Sequence, residues 1–164
     1  MYSLGHSRHP AEHFSELLRG HAIQRLADVR SHPSSKWSPQ FAQAALSAQL
    51  RVCGIDYVFL GRELGGRPDG AQFYTADGHV DYPRRAQAAD FLAGIERLLE
   101  LARERRTVLL CAEEDPSHCH RRRLVTPVLQ RAGLSVVHIR GDGRLEPDTG
   151  AAGAAQLGLF ARTR

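Results

Sequence analysis

Apolar residues in this chain fall alternately into short dense runs and helically spaced sets. Met1–Leu4 is a short apolar run closed by Gly5-His6-Ser7. After Pro10, a residue suited to a first helical position, Phe14, Leu17 and Leu18 share one helical face down to Gly20. Ile23 to Val29 predicts a second strand, closing on Asp28 and Arg30. Ser38-Pro39 starts a further helix; Phe41, Ala45, Leu46, Leu50 and Cys53 follow at helical spacing, and Gly54 supplies the stop. Ile55 to Leu60 is the third strand and leads into Gly61-Arg62-Glu63-Leu64-Gly65-Gly66. From Arg67 to Pro83 no period is visible, which predicts a long loop over a site. Phe91, Ile95, Leu98, Leu99 and Ala102 give the cleanest amphipathic helix. Thr107 to Cys111 is the fourth strand. Leu124, Val125, Val128, Leu129 and Ala132 form a helix stopped by Gly133, and Ser135 to Ile139 is the fifth strand.

Strands alternating with helices imply right-handed crossovers and parallel strands with helices on both faces. The pattern predicts a single three-layer, Rossmann-like α/β domain with a mostly parallel sheet of about five strands, spanning residues 1–141. Residues 142–164 are rich in Gly, Ala, Arg and Asp and are expected to form a mobile or loosely packed tail. A chain of 164 residues can bury roughly 70% of the surface its unfolded form exposes, enough for one core without disulfides.

Three cysteines, one of them inside a helical pattern, do not make a secreted disulfide framework. No apolar run approaches a leader or a bilayer span, so a cytoplasmic, membrane-free protein is expected. The formal charge of +4 admits nucleic acid as a partner. Yet of 22 basic residues only Lys36 is lysine, and Arg103, Arg105 and Arg106 close a helix, where cations suit the dipole.

Candidate chemistry gathers where strands end. In a parallel sheet every carboxyl end lies on one edge, so residues distant in sequence meet there. Those residues are Gly5, His6 and Ser7; Asp28 and Arg30; Gly61, Glu63, Gly65 and Gly66; and Cys111, Glu113, Cys119, His120 and Arg121. Cys119 is expected in the first turn of a helix, where the dipole and Arg121 favour a thiolate nucleophile, with small-residue packing as the alternative. Cys111 ends an apolar strand and is expected to be buried packing. His6, His120 and Glu113 are candidates for proton transfer. Of Asp28 and Arg30, one is expected to hold the loop by a salt bridge while the other faces ligand. Gly5, Ser7, Gly61, Gly65 and Gly66 would allow close backbone approach to a ligand.

The glycines do not form a dinucleotide fingerprint, because a long irregular segment rather than a helix follows them. Ser117 stands where a C-x5-R phosphatase loop starting at Cys111 would need arginine. Cys111 and Cys119 with His118 or His120, even completed by His6, lack the spacing of closed metal sites, so a metal cofactor is not favoured.

Taken together these pieces resemble a known family, domain of unknown function 488. The matching segments are Gly5-His6-Ser7, Asp28-Val29-Arg30 with Pro33 and Ser34, and Gly54-Ile55-Asp56-Tyr57 leading to Leu60-Gly61 and Leu64-Gly65-Gly66. Cys111-Ala112-Glu113 followed by Cys119-His120-Arg121 completes the set. The resemblance implies a compact α/β fold and makes these positions the family's site; it supplies no reaction. The few residues before Gly5, the run Arg121-Arg122-Arg123 and the chain after Gly141 depart from it.

The leading expectation is an enzyme, a hydrolase or transferase, acting on a small anionic, nucleotide-like or phosphorylated ligand. The helix opening at Cys119, with Arg121 and Arg30, would bind the anion. The alternatives are a nucleic-acid-associated module, and a thiol- or metal-dependent redox or sensing protein.

Overall fold

A computed structural model describes residues 1–34 and 36–150. Its six-stranded sheet has the order β3-β2-β4-β1-β5-β6. These strands are β1 (Tyr2–Gly5), β2 (Arg25–Asp28), β3 (Asp56–Phe59), β4 (Thr107–Cys111), β5 (Val137–Ile139) and β6 (Leu145–Pro147). The first five are parallel to one another and β6 runs antiparallel against β5. The three-layer, mostly parallel α/β fold read from the sequence is the fold observed.

Period-two alternation divides the strands between two cores. Val108 and Leu110 of β4 join Leu4 and Leu26 under α1 (Ala11–Gly20) and α2 (Gln43–Val52). Leu109 joins Ala27 on the other face, under α5 (Ala89–Glu104) and α6 (Thr126–Arg131). The chain moves outward from β1 to β3 with α1 and α2 on one face. It returns through β4 to β5 with α5 and α6 on the other, so the change of direction accompanies the change of face and the crossovers keep one hand. Loops leaving neighbouring strands therefore part to opposite faces, which opens a crevice at the carboxyl edge.

Short though it is, β1 is central, paired with both β4 and β5, and Gly5 lies opposite Cys111. The irregular stretch after Gly66 contains a 3-10 turn at Ala71–Phe73, a bridge between Tyr74 and Val80, and α4 (Tyr82–Arg85). Arg85 pins it to the body of the domain. Its buried guanidinium donates to Asp90 at 2.8 Å and to the Glu63 carbonyl at 2.6 Å, beneath the ring of Phe73.

The sheet has six strands, because part of the expected tail packs: β6 closes a hairpin on β5, and Asp148 accepts from His138 Nε2 at 2.9 Å and Arg122 Nε at 3.0 Å. A three-residue, exposed edge strand carries too few apolar positions to show a period. Residues 151–164 of that tail lie outside the described residues. Among the described residues no helix is long and apolar enough to cross a membrane.

Asp148 is thus the clasp of the β6 edge. Asp148→Ala leaves the buried His138 without its carboxylate partner, and a loss of about 1–3 kcal/mol is expected. Hydrogen exchange should report loss of protection in β5 and β6 while β2 and β4 keep theirs; unchanged protection at the edge would refute the clasp.

Candidate active site

The floor of the crevice is a buried ion pair. β2 ends at Asp28, and Arg30, two residues on, folds back over it: Nε donates to one carboxylate oxygen at 2.9 Å and Nη2 to the other at 2.6 Å. The Arg30 amide and the Tyr57 hydroxyl also donate to Asp28, the latter at 2.8 Å. Burial, reinforced by this carboxylate, pushes the Tyr57 hydroxyl well above the ordinary phenol range. Arg30 Nη1 reaches the Phe41 carbonyl at 2.9 Å and His6 Nε2 at 3.1 Å.

His6 is held in one tautomer. Its Nδ1 donates to the Ser7 carbonyl at 2.8 Å, which leaves Nε2 as acceptor from Arg30, and its ring stacks on Phe41 at 4.4 Å. Burial, foremost, and then the positive charge of Arg30 hold the imidazole down at about 4, so it is neutral near pH 7.

The second wall comes from the exit of β4. The Cys111 thiol donates to Glu113 Oε2 at 2.9 Å and lies 3.6 Å from His120 Nδ1. Cys119 Sγ lies 3.9 Å from the same nitrogen. On the far side of the ring Nε2 donates to the Val29 carbonyl at 2.9 Å, so Nδ1 presents its lone pair to both sulfurs. Partial burial pushes the Glu113 carboxyl upward, but the Cys111 hydrogen bond and a backbone amide outweigh it and hold the group below the usual range. The contact with Cys111 and then burial push the Cys119 thiol well above the ordinary thiol range.

Arg121 supports this wall from behind. Fully buried, it donates to the carbonyls of Glu113 and of Glu114 (2.7 Å) and to Ser3 Oγ at 3.2 Å. Gly5 is required beside it, because a Cβ there would run into the Glu113 carbonyl. After it the chain takes a π-helical turn, Arg121–Val125, before α6. Pro127 has no N–H to donate and its ring would crowd the carbonyl four residues back. The turn widens instead, and Thr126 Oγ1 donates to the Arg121 carbonyl at 2.7 Å.

Between these walls lies a cavity of about 330 Å³. Arg30, Gly66, Cys111, Glu113 and His120 line it, so the shared edge does bring these expected residues together. Gly66 lies flat on the imidazole: a Cβ there would stand 2.6 Å from His120 Cγ. Gly61 and Gly65 pack under the Arg30–Ser31 backbone and do not line the cavity, and Ser7, at φ 46°, anchors the β1 loop through the Ala112 carbonyl. His32, Arg67 and Tyr82, not singled out in the sequence, and His118, weighed there only as a metal ligand, also line it. None lies in a periodic stretch; the pointer to Arg67 and Tyr82 is the long irregular segment that begins beside Gly66. There the Arg67 amide donates to Ser31 Oγ at 2.9 Å, tying two rims together.

The structure departs from the sequence reading at five places. Asp28 and Arg30 do not divide their labour; residues two apart share a strand face, and here they bind each other. His6 stands behind Arg30 with both nitrogens engaged, apart from the Cys111–Cys119–His120 group it was considered to complete. Arg121 faces the interior instead of a ligand. Cys119 precedes its helix with extended backbone (φ −119°), so it has no first-turn dipole behind it, and the Arg121 amide donates to its sulfur at 3.5 Å. Cys111, expected as packing alone, is the thiol on the cavity wall.

Two measurements probe the floor. Unfolded His6 titrates near its ordinary ~6.5, so between that pH and about 4 the unfolded chain takes up a proton that the folded chain refuses. Stability should therefore fall with pH across that window, by roughly 3 kcal/mol from this residue. Urea titrations of His6→Gln should show the slope flattened; an unchanged slope would contradict its burial as a neutral ring. Asp28→Asn leaves Arg30 buried without its counter-charge and should cost about 3–5 kcal/mol, read by the same titrations.

No characterised protein and no solved structure matches the chain. A family model described as domain of unknown function DUF488 matches residues 10–127. That span contains Asp28, Arg30, Gly66, Cys111, Glu113 and His120, while the Gly5-His6-Ser7 segment falls just before it. With well over half its length matched, cavity walls included, the chain belongs to the DUF488 family.

Proposed function

We propose that the protein is an enzyme acting on a small anionic molecule in the cavity at the carboxyl edge. One observation carries this reading: two arginines share one cavity with groups able to move protons. Arg30 and Arg67 line it together with a single carboxylate, Glu113, the thiol of Cys111 and the imidazole of His120. The arginines suit a phosphate or carboxylate group. Glu113 and His120 suit proton transfer at the reacting bond. Glu113 is an acceptor at the mouth and His120 Nδ1 an acceptor deeper in, its tautomer fixed by the Val29 carbonyl. Hydrolysis or group transfer is the chemistry such acceptors serve: one takes the proton of the incoming nucleophile and then passes that proton to the leaving group.

The arginines themselves favour a small ligand over nucleic acid. Arg25, Arg85, Arg121 and Arg140 are bonded to partners within the fold, so they form no continuous basic stripe.

Thermal-shift screening with phosphorylated and carboxylated metabolites tests the reading. A ligand at about 100 times its Kd adds roughly 2.7 kcal/mol, which raises Tm by roughly 5–10 °C in a domain of this size. Arg67→Ala should abolish the shift without unfolding the protein, because Arg67 is exposed. Shifts that persist in Arg67→Ala, or none from any anion, would overturn it.

A further inference from the structure

We infer that Cys111, Cys119 and His120 form a three-ligand site for a thiophilic divalent metal ion of the zinc type, with the fourth position open to the cavity. This goes beyond the proposed function and stands without it; with an ion bound, His120 Nδ1 would be a ligand and proton transfer would fall to Glu113. The donor atoms, two Sγ and one ring nitrogen, all lie within 4.8 Å of one another, and all three residues are buried. Zinc binds sulfur at about 2.3 Å and imidazole nitrogen at about 2.0–2.1 Å, so tetrahedral ligands of these two kinds stand roughly 3.6 Å apart. The observed separations from His120 Nδ1 are 3.6 Å to Cys111 and 3.9 Å to Cys119. Two sides of the triangle already have nearly the lengths that a bound ion imposes, and the third lies within 4.8 Å.

The surroundings supply what a ligand set needs behind it. The Val29 carbonyl accepts from Nε2 at 2.9 Å, which fixes the ring and turns the Nδ1 lone pair to the sulfurs; a carbonyl in that place is a recurrent support for metal-binding histidine. Gly66 against the ring face prevents it from swinging. The Arg121 amide donates to Cys119 Sγ at 3.5 Å, a bond that suits a thiolate. Binding converts both thiols to thiolates and releases two protons to solvent, so the dication and two thiolates leave the buried site neutral.

The spacing that argues against metal in the sequence applies to closed sites of four protein ligands. An open site needs three and keeps one position for water or substrate. Cys111 and His120 line the cavity, so that position faces it, and Glu113 stands beside it with Oε2 2.9 Å from Cys111 Sγ. A metal-held water there would meet a carboxylate able to take its proton.

The test is titration of the chelator-stripped, reduced full chain with zinc chloride, followed by isothermal calorimetry and by competition with a chromophoric chelator. One zinc per chain is expected, with Cys111→Ser and Cys119→Ser each weakening affinity by about 100-fold or more and Cys53→Ser leaving it unchanged. Circular dichroism establishes that each variant is folded. Iodoacetamide labelling of the unsubstituted chain gives a second readout: stoichiometric zinc should protect Cys111, the thiol on the cavity wall, and leave labelling of Cys53 unchanged. Substoichiometric binding, affinity that survives Cys119→Ser in folded protein, or a native Cys111–Cys119 disulfide with no zinc uptake after reduction would each overturn the assignment.

Discussion

The carboxyl edge of this domain is organised by one buried ion pair. Asp28 has no exposed surface, and its carboxylate receives the Arg30 guanidinium through two bonds, the Arg30 amide and the Tyr57 hydroxyl. Through Arg30 the pair reaches His6 after β1 and Phe41 before α2, so four segments meet on one guanidinium–carboxylate contact. An isolated charge in such a place would be untenable, whereas a bidentate pair further bonded to His6 and the Phe41 carbonyl is stable and rigid. That rigidity sets the cavity floor, because the same Arg30 that holds the loops also lines the space above them.

A second buried arginine does the corresponding work for the opposite wall. Arg121 grips the backbone at Glu113 and Glu114, and Ser3 Oγ behind it continues to His138 and Asp148 at the sheet edge. The wall that carries Cys111, Glu113 and His120 is thereby tied to β1, β5 and the β6 hairpin. Groups that react with ligands need such fixed positions, since a displacement of about 1 Å can cost a hundredfold in rate. Both arginines that the sequence offered as anion clamps are thus part of the frame, and Arg67 on an exposed rim adds a cation in reach of solvent.

Much of this was legible before any coordinates. Dense apolar runs at Ile23–Val29 and Thr107–Cys111 gave the central strands, and parallel topology alone required residues after them to share an edge. That puts Arg30, after β2, on one edge with Glu113 and His120, after β4. What could not be read was side-chain direction at the strand ends. Whether Cys111 or Cys119 faces the cavity depends on the extended backbone at Cys119 and the wide turn forced by Pro127, neither of which leaves a periodic signal. The role of Arg121 was hidden for a related reason: an arginine beside a helix start looks like an anion ligand until the carbonyls it serves are known. His32 and Arg67 come from loops, and Tyr82 and His118 from single short turns, where position is set by tertiary contacts such as Arg67 on Ser31.

The central claim is that the space between the Asp28–Arg30 floor and the Cys111–His120 wall is the anion site of this domain. Tungstate, a heavy analogue of phosphate visible by its anomalous scattering, locates such a site directly in crystals. One strong peak is expected inside the cavity, within hydrogen-bond reach of Arg30 and Arg67 and facing Cys111 and His120. A cavity without tungstate, with the ion instead on the Arg103–Arg106 surface at the opposite edge of the sheet, would contradict it.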